Sequence, residues 1–359
     1  MTKTLTPNYG ILNSPPYVAG AHTIDGVDKA IVLSANENPL GCSPMVKDAV
    51  ANTVFNRYPQ GGSDDVCDAL GALHNLPSSN IVCGAGSDEI LHLLIYAYAG
   101  KGDEVLYPEY GFLIYPIATL TAGATPKTAP EKQYTVCVDS LLNCITDKTK
   151  IICVANPGNP TGTMLVKSEI ERLVKNTPPH ILLILDGAYA EYVQEDTYTA
   201  GAEFVKDHAN VVMTRTFSKA YGLAGIRLGW AYASDAVVDV LNRVRCPFNV
   251  SSTAQNAGLT GIKDQDFIAK SIASNAYWKN VLVSACVAQG MSVPPSHTNF
   301  ILVKFSSEQN ANDAYITLQK HGVLARLVKA YGLPDCIRIT IGTEAENKHV
   351  LNAITDMKA

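Results

Sequence analysis

Lys219 stands in "TRTFSKAYGLAGIRLGW" (214–230), behind an apolar run and among small residues that would exclude water. An isolated ammonium is costly to bury, so a lysine placed there is suited to losing its charge by covalent chemistry with a carbonyl group. Arg227 follows on the same loop, and its planar fork suits a phosphate or a carboxylate. Asp186 ends a second apolar run, "HILLILDGAY" (180–189), which also carries Tyr189. In "GAGSDE" (84–89), glycines precede Ser87 and Asp88, where free amides and the positive end of a helix would receive an anion. "NPGNPTG" (156–162) fixes a rigid loop of outward-pointing amides around Asn159.

These groups can meet only if short elements bring them to one edge. The runs "NIVCGAG" (80–86), "DEVLYP" (103–108), "KIICVANP" (150–157), "HILLILDGAY" (180–189), "NVVMTRTF" (210–217) and "LGWAYAS" (228–234) read as strands. Several are almost continuously apolar, as strands buried on both faces of a mostly parallel sheet must be. Helix patterns lie between them: "SDEILHLLIYAYAG" starts on a serine cap, and "KSEIERLVKNTP" stops before prolines. After about residue 250, a helical stretch near 264–290 precedes "NFILVKF", "HGVLARL" and "CIRITIG", with a helix between the first two. That reads as a smaller α+β unit. The expected layout is a Pro-, Gly- and Asn-rich arm (1–45), a large α/β domain (46–250) and a small C-terminal domain (251–359).

In an open parallel sheet, ligands bind beyond the carboxyl ends of the strands. Here four strand ends supply a phosphate-type turn, an amide loop, a carboxylate and a lysine. Singly, each has an ordinary explanation as a helix start, a connecting turn or a cap. Jointly they specify an aromatic cofactor with a phosphate, a basic ring nitrogen and an aldehyde, which is the chemistry of pyridoxal phosphate. A dinucleotide fold is disfavoured because there is no G-x-G-x-x-G run.

The 359 residues are 47% hydrophobic and 17% charged, with a net charge of -5, an ordinary globular balance. Nothing in it favours nucleic acid or an acidic membrane surface. Nine scattered cysteines without a C-x-x-C pair read as reduced thiols in a cytoplasmic protein, and the eight histidines have no metal-ligand spacing, so no metal is expected. Neither a signal-peptide core nor an apolar run of membrane-spanning length is expected from the sequence.

The chain resembles the pyridoxal-phosphate aminotransferases of the aspartate-aminotransferase fold (fold type I), and within them the histidinol-phosphate aminotransferase family. The likeness runs from "PYVAG" and "LSANENPLGCSP" through "NRYPQGG", "PEYGF", "NPGNPTGT" and "LDGAYAEY" to "HTNFILV", "RLVKAYGLP" and "CIRITIGT". It implies a mostly parallel seven-stranded sheet with helices on both faces. It also implies a ping-pong transaminase acting on L-histidinol phosphate and 2-oxoglutarate in histidine biosynthesis. Lys219 would form the Schiff base and shuttle the substrate proton, Asp186 would pair with the ring nitrogen, and Tyr189 and Asn159 would bond the ring oxygen. Tyr110 would stack on the ring. The phosphate would receive Ser87, Asp88, Thr216, Ser218 and Arg227, with Tyr58 reaching the neighbouring subunit of a homodimer. Tyr17, Asn36, Arg326 and Arg338 would bind substrate. Gly158, Gly187, Ala19 and Leu327 depart from residues frequent in the family, the last two on the substrate side. An aromatic aminotransferase or a threonine-phosphate decarboxylase would use the same cofactor residues. A non-catalytic relative would be expected to lack Lys219, Asp186 or Arg227, and all three are present.

Overall fold

In the computed structural model, which describes residues 7, 10–13 and 22–357, the apolar runs become the strands of one sheet. A short strand β1 (Ile31–Val32) precedes them. The sheet consists of β2 (Ile81–Gly84), β3 (Glu104–Pro108), β4 (Thr125–Ala129), β5 (Thr149–Ala155), β6 (Leu182–Asp186), β7 (Val211–Thr216) and β8 (Gly229–Tyr232). Their spatial order is β2-β8-β7-β6-β5-β3-β4. Only β8 runs against its neighbours β2 and β7, so the other six strands end along one edge.

Strand β4 is the one the sequence does not announce. Its "TPKTA" contains a proline and buries only its last residue, a composition tolerated because β4 lies at the sheet edge beyond β3. The central strands are apolar on both sides because both faces are covered. Ile151, Cys153, Leu182, Ile184 and Val212 pack with Ile90, Leu91, Leu94 and Ile95 of helix Ser87–Tyr98. Ile152, Val154, Leu183, Leu185 and Met213 pack with Ile170, Leu173 and Val174 of helix Lys167–Asn176.

The start of helix Ser87–Tyr98 differs from the expected serine cap. Gly86, at φ 88° and ψ 159°, takes the cap position, and Ser87 is the first helical residue. Glu89 turns back to accept the Ala85 amide at 2.6 Å and the Asn249 side chain at 2.7 Å. The Ser87 hydroxyl is thereby left for other work.

The remaining strands are β9 (Phe300–Lys304), β10 (Val323–Leu324), β11 (Arg326–Leu327) and β12 (Cys336–Thr340). β11, β12 and β9 form an antiparallel sheet, covered by helices Gln265–Ala288, Glu308–Lys320 and Glu344–Asp356 around a core that includes Leu282, Ile301, Val303, Leu318, Ile337 and Val350. "HGVLARL" is therefore not one strand but two, because β10 pairs with β1 while β11 turns to pair with β12. The β1–β10 pair carries the following segment across to the large sheet. There Asn299 Nδ2 donates to the carbonyls of Asn36 (3.0 Å) and Glu37 (3.2 Å), and Asn38 Nδ2 donates to that of Ala220 (2.8 Å). Among the described residues, no helix is long and apolar enough to cross a membrane.

Candidate active site

Beyond the carboxyl ends of β2, β5, β6 and β7 lies a cavity of about 270 Å³, which Arg326 on β11 and Arg338 on β12 also line. Three groups of the expected residues face it. Ser87, Asp88, Thr216, Ser218 and Arg227 form the first, and Asn159, Asp186, Tyr189 and Lys219 the second. Asn36, Arg326 and Arg338 form the third. Tyr110 is not among the lining residues; its ring lies 6.1 Å from that of Tyr134, in a cluster with Tyr331, which does line the cavity. Tyr58 is also elsewhere, 82% exposed and stacked on Phe248 at 4.6 Å. Tyr17 lies outside the described residues.

The first group is built for an anion. The amides of Ser87 and Asp88 open a helix and have no intrahelical acceptor. Thr216 Oγ1 donates to Ser218 Oγ at 3.0 Å, and Arg227 Nη1 donates to the same hydroxyl at 3.3 Å. Arg227 Nη2 reaches Asp88 at 3.4 Å, a long and half-exposed ion pair that leaves the guanidinium available to a stronger acceptor. Two glycines make the approach possible. A side chain on Gly86 would run into the Arg227 guanidinium, and one on Gly229 would run into the backbone of Gly86 and Ser87.

In the second group, Lys219 Nζ donates to the Ala35 carbonyl at 3.2 Å and lies 5.8 Å from the centre of the Tyr189 ring. Burial, and then the Arg338 and Arg227 charges, bring its pKa down to about 8, against the opposing pull of Asp88 and Glu37. The amine is thus about half neutral at that pH and largely neutral a unit above it. Asp186 ends β6 and is 3% exposed. Burial pushes its carboxyl up to about 6, while hydrogen bonds from Tyr115 and Thr214 pull it back. Burial also raises the Tyr189 phenol above its ordinary range, so it remains protonated. Its oxygen accepts from Asn36 Nδ2 at 2.9 Å, which leaves its own proton to give.

The third group presents positive charge to the cavity. Arg338, 6% exposed, donates from Nη1 to Asn159 Oδ1 at 2.6 Å and from Nη2 to the Ser34 carbonyl at 2.7 Å. Its Nε is buried without a partner. Since Asn159 Oδ1 is occupied, its Nδ2 remains a donor. Arg326 and Arg338 are directly paired in the β11–β12 register, and directly opposed residues share a face of a sheet. Two like charges so placed destabilise a small sheet unless an anion lies between them.

Several lining residues were not singled out from the sequence. Ser34 and Glu37 fall inside the quoted "LSANENPLGCSP", Phe112 inside "PEYGF" and Tyr331 inside "RLVKAYGLP", but none of the four is a candidate by residue type and spacing alone. Tyr115 and Thr214, which bond Asp186, lie outside the lining and read as ordinary core. Among the described residues, no group of three His, Cys, Asp or Glu side chains is placed to hold a metal ion.

Comparison with known proteins agrees with this geometry. The family model "Aminotransferase class I and II" matches residues 28–354. A histidinol-phosphate aminotransferase of Rhodospirillum centenum is 47% identical over 353 residues, covering 98% of both chains. One from Roseobacter denitrificans is 45% identical over 356 residues, covering 99% of both. The crystal structure of histidinol-phosphate aminotransferase from Sinorhizobium meliloti in complex with pyridoxal-5'-phosphate is similar at a TM-score of 0.87 and 26% identity, over 91% of this chain and 90% of that one. Aspartate aminotransferase from Thermus thermophilus with maleate shares the fold at a TM-score of 0.80 and 19% identity, over 91% and 90%. A match along nearly the whole chain, onto a sheet edge that gathers a lysine, an aspartate and an anion cradle, places the chain in the class I and II aminotransferase family, in its histidinol-phosphate aminotransferase branch.

Proposed function

We propose that the chain binds pyridoxal phosphate and transfers the amino group between L-histidinol phosphate and 2-oxoglutarate, yielding imidazole-acetol phosphate and L-glutamate for histidine biosynthesis in the cytoplasm. The observation that carries this reading is the meeting of Lys219, Asp186 and Arg227 in one cavity whose other wall holds the paired Arg326 and Arg338. The residues fit the cofactor. At Gly86 only a glycine leaves the Arg227 guanidinium in place, and the donors around it match a phosphate.

Arg227, the hydroxyls of Thr216 and Ser218, and the amides of Ser87 and Asp88 would hold the phosphate. Asp186 would hold the ring nitrogen, Tyr189 and Asn159 the ring oxygen, and Lys219 the aldehyde. Bound there, the cofactor supplies an electron sink for the pair left at the substrate Cα when its proton departs. Lys219 Nζ, freed by the substrate amine, would carry that proton from the substrate Cα to the former aldehyde carbon within one half-reaction, and would carry it the other way in the second half of a ping-pong cycle. Its lowered basicity near pH 8 suits both directions. Asp186, as a carboxylate, would keep the ring nitrogen protonated. On the substrate side, Arg338, whose Nε is unpaired, and Arg326 take the carboxylate of 2-oxoglutarate in one half-reaction and the phosphate of histidinol phosphate in the other. Asn36 orients Tyr189.

The reading includes a large domain (46–250), a small domain (251–359) and a homodimer with a shared site. Tyr58 and Phe55 are 82% and 77% exposed, an aromatic surface that a second copy would cover and from which Tyr58 would reach the neighbouring phosphate. The test is a donor panel with 2-oxoglutarate, comparing kcat/KM for histidinol phosphate, phenylalanine and tyrosine. A clear preference for histidinol phosphate is expected. Preference for the aromatic donors would assign the chain to aromatic transamination, which the Phe112 and Tyr331 walls also suit. Carbon dioxide released from threonine phosphate would assign it to decarboxylation.

A further inference from the structure

Tyr115 is wholly buried on helix Ile114–Thr121, with its ring 6.0 Å from Tyr107 and edge-on to Phe112 at the same distance. Its neighbours in the core include Val105, Ile151 and Ile184. A phenylalanine would fill such a place, and a buried phenol needs a partner for its hydroxyl. The partner is Asp186: Tyr115 Oη donates to Oδ2 at 3.0 Å. On the other carboxylate oxygen, Thr214 Oγ1 donates to Oδ1 at 3.1 Å, from the residue directly opposite Asp186 in the β6–β7 register. Both donors belong to the packed core rather than to the cavity lining.

We infer that Tyr115 is a positioning residue which, together with Thr214, clamps the Asp186 carboxylate in its ionised form and aims it into the cavity. These two side-chain donors, together with the Ala188 backbone amide, oppose the desolvation that would otherwise neutralise a buried carboxyl. The titratable groups around Asp186 make the clamp necessary. Asp88 from helix Ser87–Tyr98 raises its pKa further, and Cys153 on β5 and Tyr189 in the loop after β6 are themselves kept neutral by burial. Lys219, after β7, lines the same cavity. Tyr115 itself is pushed far above the ordinary phenol range, first by burial and then by Asp186, so it acts only as a donor. Without the clamp, Asp186 would take up a proton and could not pair with a protonated ring nitrogen.

The inference rests on the pyridoxal-phosphate reading, and two ligands separate the failure of one from the failure of the other. Dissociation constants are measured by fluorescence titration for pyridoxal phosphate and for its 1-deaza analogue, which has CH in place of the ring nitrogen. The wild-type protein is expected to prefer the natural cofactor, and Tyr115→Phe should lose about tenfold of that preference while binding the analogue unchanged. In the apo protein, the carboxylate band of Asp186 should titrate at higher pH in the variant. Equal weakening toward both ligands, or an unchanged preference, overturns the inference. No preference in the wild type would instead overturn the Asp186–ring nitrogen assignment, and the clamp's purpose with it. Should Tyr115→Phe fail to fold, Thr214→Val and Thr214→Ser read the same clamp. Loss of preference in the valine variant alone supports it, and identical behaviour of the two refutes it.

Discussion

Replacing Gly86 with alanine separates folding from cofactor binding at one atom. The residue sits at φ 88° and ψ 159°, a region that is nearly glycine-only, so alanine there strains the backbone by about 1–3 kcal/mol. The new Cβ would meet Arg227 Nη2, with Cζ 3.1 Å and Nη1 3.7 Å away, so its three nearest contacts are all the far end of one side chain. The Arg227 side chain is 46% exposed, so its far end can swing aside with little further loss of stability. Swinging aside removes it from Ser218 and from the phosphate that Ser87 and Thr216 would share with it. A charge-assisted hydrogen bond to a phosphate contributes about 1.5–3 kcal/mol, or roughly 10- to 150-fold in affinity. The expected result is an apo protein with a modestly lower melting temperature and a dissociation constant for pyridoxal phosphate raised by that factor. Gly225→Ala is the control, because its Cβ meets nothing within 4 Å on the same loop. Wild-type affinity in Gly86→Ala, alongside the lowered melting temperature, would show that Arg227 does not hold the phosphate.

Lys219→Ala should retain the fold and bind the cofactor non-covalently, while turnover falls by at least about 10²–10⁴-fold; near-normal turnover in single-turnover assays would mean that another group moves the proton. Covalent attachment of pyridoxal phosphate should speed up as pH rises toward about 8 and level off above it, because only the neutral Lys219 amine attacks. A stopped-flow pH series lacking that inflection refutes the assignment. Stability follows the same groups with opposite signs. Lys219 has a lowered folded pKa, so the apo protein should gain stability as pH rises from about 8 toward 10.5; Asp186 has a raised one, so its contribution should decline between 3.8 and about 6. Denaturant titrations across pH in wild type, Lys219→Ala and Asp186→Asn read both slopes. Finally, Glu191→Ala should destabilise the protein by about 3–5 kcal/mol, because it strands Arg215, whose side chain is 11% exposed and paired at 2.8 Å. A loss below about 1 kcal/mol in urea unfolding would rule out a buried charge there.

The site was legible where chemistry follows directly on an apolar run. Asp186 and Thr216 close β6 and β7, and Ser87 and Asn159 come within a few residues of β2 and β5, so a parallel sheet brings them to one edge automatically. Strand β4 carries no sequence signature because an edge strand needs no apolar face, and "HGVLARL" reads as one strand because its second partner, β1, comes from a distant part of the chain. The serine cap was plausible locally, but Glu89 already satisfies the Ala85 amide, so glycine can take the cap and Ser87 can face the cavity.

The sequence by itself determined the chemistry on offer: a lysine, an acid, an arginine and an amide-rich turn, each at the end of a strand that burial on two faces forces into one sheet. Only the tertiary structure decided how these groups are tuned. Tyr115 looks like one more aromatic in an apolar helix until it meets Asp186 across 71 residues of chain, and Arg326 and Arg338 become a pair only through the β11–β12 register. Residue type and spacing reveal which groups can react, whereas desolvation and hydrogen bonding between remote segments set their charge, and those exist only once the chain has packed.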